Sequence, residues 1–166
     1  DLIARYLRGE FGRLEEVDPY FIANAYAMDR YMFKPELEKE LLDYDYVVLD
    51  RYVASNMAFQ SVRSESPRHT REWIRNYEYH TLKLPMPDLG IFLDCDPSAA
   101  AERMANRGER GYLEGKKDIH EADLSYQRRV NLAYRQIAYE HPLDLVVAET
   151  GGLDPHELFH EKIRPL

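Results

Sequence analysis

Three short apolar runs, separated by stretches of helical periodicity, set the frame of this 166-residue chain. Residues 47–49 (Val47, Val48, Leu49), 89–93 and 143–148 are too short for helices, and their largely continuous apolar character predicts parallel strands covered on both faces. Helices are predicted around them. Leu2, Ile3, Tyr6 and Leu7 fall at helical spacing ahead of a stop at Gly9. Asp18-Pro19 is an N-cap followed by proline at the first helical position, and it launches a helix to residue 33 that Pro35 kinks or restarts before it continues through Leu37, Leu41 and Leu42. A polar helix over residues 68–82, built around Trp73 and Tyr77, is closed by Pro85 and Pro87. Asp96-Pro97 repeats the capped start for an alanine-rich helix to Arg107. A glycine-punctuated basic loop follows, and it reads as a lid. Over residues 121–140, Val130, Tyr134, Ile137 and Ala138 share one helical face that should dock on the sheet, and Asp154-Pro155 caps a last helix. Strands alternating with helices in this order give one α/β domain, a parallel sheet flanked by helices.

The first apolar run ends in chemistry. Asp50 and Arg51 follow Leu49 without a spacer, and in open α/β sheets ligands lie beyond the carboxyl ends of the strands. There an arginine can grip a phosphate bidentately, and a carboxylate can hold a magnesium ion through water. The plainer alternative for the same two residues is an ion pair that caps a turn.

Composition narrows the function classes. A formal net charge of -8 argues against general nucleic-acid binding, which needs a basic face to displace counterions, but leaves room for a local basic pocket around one nucleotide. No apolar run approaches the roughly 20 residues of a membrane span. The single cysteine, Cys95, allows no internal disulfide, fits a reducing cytoplasm, and reads as a small buried apolar group.

Taken together, several separated segments resemble the thymidylate kinase family of P-loop nucleoside monophosphate kinases. They are Ala27-Met28-Asp29-Arg30, then Val48-Leu49-Asp50-Arg51-Tyr52 with Ser55, Asn56, Phe59 and Gln60, then Pro87-Asp88-Leu89 through Asp96-Pro97, and Lys117-Asp118-Ile119-His120-Glu121. The resemblance implies the fold of those kinases, with a lid over residues 107–119, and transfer of a phosphoryl group from ATP to dTMP with Mg2+, a step toward dTTP. It also implies a cytoplasmic homodimer with no polymer or membrane partner.

Roles follow position by position. Arg51 would bind the dTMP phosphate and Asp50 would organise magnesium. Tyr26, where the family usually has phenylalanine, would stack on the base while Arg30 bonds its edge. Ser55, Asn56, Phe59 and Gln60 would complete the acceptor pocket. Arg107 would pack on adenine, the lid cations Arg110, Lys116 and Lys117 would neutralise the phosphates, and Asp118 and Glu121 would fold over the acceptor. His120 stands where the family often has tyrosine or phenylalanine. Each position has a plainer reading too: Tyr26 as core, Arg30 paired with Asp29 or a surface acid, the lid cations simply solvated.

The main departure is that G-x-x-x-x-G-K-[ST], the loop whose amides cradle ATP phosphates, occurs nowhere in the sequence. The expectation is therefore a kinase domain without its first βαβ region, whose strand would lie between the first two apolar runs. Other classes remain to be weighed. They are a kinase for another deoxynucleoside monophosphate, a non-catalytic nucleotide-binding module, and a zinc hydrolase, because His156-Glu157-Leu158-Phe159-His160 matches H-E-x-x-H.

Overall fold

The computed structural model describes residues 2–96, 98–100, 124–142, 144–149, 154–158 and 160. Helix α1 spans Leu2–Leu7 and stops where Gly9 takes a left-handed φ of 73°. Helix α2 spans Pro19–Asp43. Its start is fixed as the sequence implies, because the Asp18 carboxylate accepts from Tyr20 N at 2.7 Å and Phe21 N at 3.0 Å. Pro35 does not restart it. Proline removes one helical hydrogen bond, and at this exposed position water can take the freed carbonyl, so the helix runs on to Asp43.

Helix α3, Val53–Ser61, is the centre of the molecule. It packs against α2, against α4 (Pro67–Arg75) and against α5 (Leu124–Glu140). Val53, Met57 and Ala58 meet Ile22, Ile74, Val130 and Ile137 in one buried cluster. Arg63, just past α3, ties the segment between α1 and α2 to this core. Its guanidinium donates to the Tyr6 hydroxyl at 3.0 Å, to the Leu14 carbonyl at 2.7 Å and to the Val17 carbonyl.

Helix α4 passes without a break into a π-helical turn, Asn76–Thr81, in which Leu82 N donates to Tyr77 O at 2.9 Å. Such wide turns are uncommon and concentrate at functional sites. Beyond it, β1 (Ile91–Asp94) pairs in parallel with β2 (Val146–Glu149), Ile91 opposite Val146 and Asp94 opposite Glu149. Glycine is required just before β1, since a Cβ on Gly90 would stand 2.1 Å from the Asp144 carbonyl oxygen.

The first apolar run is the main correction. Residues 46–49 form no strand and pair with no described strand, and Val48 is 91% exposed rather than covered on both faces. A ladder needs a neighbour to take its backbone groups, and the described residues supply none there. Two smaller differences accompany it. Cys95 is half-buried, and α5 rests chiefly on α3, reaching the sheet through Tyr134, which stacks on Phe92 at 4.5 Å. No described helix is long and apolar enough to cross a membrane.

Three side-chain contacts fasten α4 to the end of α5 and the turn after it. Arg71 holds Glu140 by two bonds of 3.0 and 2.7 Å, Arg75 holds Asp144 at 2.7 Å, and His141 Nε2 lies 3.1 Å from Glu72. The Arg71 bonds keep the Glu140 carboxyl below its ordinary range against the opposing pull of its partial burial. A depressed carboxyl contributes stability above its unfolded pKa and loses it as pH falls through the folded one. Arg71→Met is therefore expected to cost about 1–2 kcal/mol at neutral pH, and its gap from wild type in thermal unfolding should close in acid. An equal gap at both pH values would show that the lost packing, not the ion pair, carries the effect.

Candidate active site

Two helices and the π-turn converge on one acid. Glu78 lies one helical turn after Ile74, so both face the core, and its side chain is fully buried. Arg30, from α2, closes on it as a fork, Nε to Oε2 at 2.6 Å and Nη2 to Oε1 at 2.7 Å. Asn56, from α3, donates Nδ2 to Glu78 Oε1 at 2.8 Å and to the Ala23 carbonyl at 3.0 Å. Both amide hydrogens of Asn56 are thereby used, while its buried Oδ1 has no hydrogen-bond partner among the described residues. Arg30 likewise has a terminal nitrogen, Nη1, that no described residue engages.

Tyr52 borders this network. Its hydroxyl donates to the Pro85 carbonyl at 3.0 Å, and its ring lies 6.4 Å from that of Tyr79. Burial pushes its phenol up to about 12, with the Arg30 charge opposing and the Glu78 charge adding, so it stays protonated at neutral pH.

Arg51 stands apart from the core. Its backbone sits at a φ of 69°, in the left-handed region that side chains other than glycine rarely adopt. Strain of that kind persists where the surroundings over-determine it and concentrates at ligand clamps. The guanidinium lies over the Phe59 ring, 5.0 Å from its centroid, exposed and in no ion pair with a described residue. The turn-capping pair with Asp50 is therefore absent, and the Asp50 carboxylate is itself exposed. Phe59 is wedged edge-on between Tyr126 at 6.0 Å and Tyr134 at 6.4 Å. Burial raises the pKa of the Tyr134 hydroxyl, with neighbouring Ser55 and the Arg51 charge opposing.

Of the residues singled out from sequence, Tyr26, Arg30, Asn56, Ser55, Phe59 and Arg51 are carried by α2, α3 and the loop before α3. Tyr26 is half-buried and packs on the core cluster. Gln60 is buried in a different set of bonds, its Oε1 accepting from Arg63 at 2.8 Å. Arg107, Arg110, Lys116, Lys117, Asp118, His120 and Glu121 lie outside the described residues. Sequence reasoning missed Glu78, although an acid one turn from Ile74 on an apolar helical face was the available signal. It also gave Asp94 no role. That strand-end acid accepts from Asn131 at 2.8 Å and pairs with Arg135, which makes it a tie between β1 and α5.

The H-E-x-x-H segment is used differently. Asp154 accepts from His156 N at 2.8 Å and Glu157 N at 3.0 Å, and Glu157 returns a carboxylate to Asp154 N at 3.2 Å. That reciprocal pair is a capping box at the start of α6, Pro155–Leu158, so Glu157 serves the helix start, while the His156 and His160 rings lie 4.4 Å apart.

Among known proteins, the family model described as thymidylate kinase matches residues 1–163. The chain belongs to the thymidylate kinase family. It is 33% identical over 140 residues to a thymidylate kinase of Mycobacterium tuberculosis, a match covering 83% of this chain and 64% of that protein. Probable thymidylate kinases of Methanococcus vannielii and Pyrobaculum aerophilum are 30% and 31% identical over 146 and 153 residues, or 84% and 89% of this chain and 65% and 72% of theirs. The chain thus spans just under two thirds of the first of these relatives. Thymidylate kinase family membership carries the α/β fold of the P-loop nucleoside monophosphate kinases, with which the parallel strands and flanking helices agree.

Proposed function

We propose that this protein phosphorylates dTMP to dTDP with ATP and Mg2+, and that the described residues form its acceptor half. The observation that carries the reading is a pair of unused groups on the two side chains that share Glu78, the buried acceptor Asn56 Oδ1 and the donor Arg30 Nη1, neither of which meets a partner among the described residues. Thymine offers the complement, a donor at N3 and an acceptor at O4. Tyr26 supplies an aromatic face for the base, Ser55 and Phe59 complete the pocket, and Arg51, in no ion pair with a described residue and held in a strained backbone, clamps the phosphate.

Catalysis in this reading is positioning and charge. Arg51 fixes the attacking phosphate oxygen, and the lid residues Arg107, Arg110, Lys116, Lys117, Asp118 and Glu121 would close over the nucleotides. The exposed Asp50 carboxylate beside Arg51 fits a water-mediated magnesium ligand. Magnesium, when bound, would neutralise charge on the transferring group. Apolar side chains left exposed along α2, among them Phe21, Met32 and Phe33, support a homodimer formed by helix packing, and the single cysteine supports a cytoplasmic setting.

Calorimetric titration of the chain with dTMP, with AMP as the control, tests the reading. Saturable binding of dTMP and none of AMP is expected. A folded chain that ignores dTMP would remove it.

A further inference from the structure

We propose that Glu78 is a positioning residue that sets the base selectivity of the acceptor site, acting through Arg30 and Asn56 without touching the nucleotide. The proposal rests on the acceptor reading above. Glu78 receives three charge-assisted or amide bonds in a fully buried position, two from Arg30 and one from Asn56. Only an acceptor-only group can do this, and an ionised carboxylate is the side chain that has no donor to misplace. Its charge has two consequences. It draws the Arg30 fork inward, so that Nη1 is the guanidinium nitrogen left for a ligand. It also holds Asn56 in the one amide orientation that satisfies both Glu78 and the Ala23 carbonyl, since the flipped amide would set an oxygen against two acceptors. The donor and acceptor shown to a base are therefore written by Glu78. The π-turn, Asn76–Thr81, is the backbone that brings it there.

Glutamine at this position keeps the shape and inverts one bond. In either rotamer its NH2 opposes a donor, and the less costly choice sets it against Arg30 Nε while leaving the oxygen for Arg30 Nη2 and Asn56. Arg30 is then pushed from its fixed pose. Bases that need a donor at position 4, thymine and uracil, lose a bond, whereas cytosine, with an amino group there, never used it.

The experiment is calorimetric titration of the wild-type chain and Glu78→Gln with dTMP, dUMP and dCMP, with circular dichroism and a thermal melt to establish folding. We expect dTMP and dUMP to weaken about tenfold or more in Glu78→Gln, with dCMP changed less than twofold. Equal losses for all three nucleotides would mark a structural role only, and unchanged affinities would mark none; either overturns the proposal. Should Glu78→Gln not fold, Glu78→Asp keeps the charge for the long Arg30 side chain but withdraws from Asn56. The same selective loss is expected there, and equal or absent losses overturn the proposal again. Failure of the wild-type chain to bind dTMP would instead strike the acceptor reading itself and take this proposal with it.

Discussion

Arg51→Ala is expected to weaken dTMP binding by about 30-fold or more, while leaving thymidine, which lacks the phosphate, nearly unaffected. A charge-assisted bidentate contact to phosphate contributes about 2–3 kcal/mol, enough for that change. The fold should hardly notice, because Arg51 is exposed and its contact with Phe59 contributes at most about 1 kcal/mol at such a site. Backbone strain allows a finer test. Arg51→Ala keeps a Cβ at a φ of 69°, whereas Arg51→Gly relieves it, so the glycine variant should melt higher than the alanine variant by about 1 kcal/mol of stability while binding dTMP just as poorly. Calorimetry and thermal unfolding of the two variants measure both effects. If dTMP binds either variant like wild type, Arg51 is no phosphate clamp.

Local rules made much of this fold legible. Asp18 and Asp154 cap helices as their sequences announce, Gly9 ends α1, and the runs around Ile91 and Val146 pair in parallel. The same rules failed at residues 47–49, because an apolar run becomes a strand only when a neighbour completes its ladder, and a one-dimensional pattern does not say which neighbour is present. Pro35 fails to restart α2 for a related reason. Proline's effect on a helix depends on whether the freed carbonyl meets water, which is a property of the folded surface.

The candidate site divides in the same way. Arg51 and Arg30 could be read because their residue types stand out beside Asp50 and Tyr26. What could not be read is the partner that gives Arg30 its geometry, since Glu78 is 48 residues away and joins it only when α2, α3 and the π-turn pack together. The plainer expectation for Arg30, a pairing with Asp29 or a surface acid, was right in kind and wrong in partner. That difference matters, because a buried carboxylate fixes a guanidinium where a solvated one would not.

The same burial makes the Arg30–Glu78 pair asymmetric, and Arg30→Met should destabilise the protein by about 3–5 kcal/mol, the largest stability loss expected at this site. Glu78 is fully buried, whereas the Arg30 side chain is 18% exposed. Remove the arginine, and the carboxylate is left in the core with the Asn56 amide as its one remaining partner among the described residues. Neutralise the carboxylate instead, and the arginine can swing its head toward water along a flexible stem, at smaller cost. Arg30→Met should therefore melt well below Glu78→Gln. The double variant Arg30→Met with Glu78→Met should recover most of the difference, since an apolar pair of similar volume avoids the desolvation that the ion pair had to overcome. Stability recovered in this way would not restore base selectivity, because neither the donor at Arg30 nor the anchor that orients Asn56 would remain. Chemical denaturation of the four proteins checks the order. A double variant less stable than Arg30→Met would mean that the pair holds the helices together by more than its own charge balance.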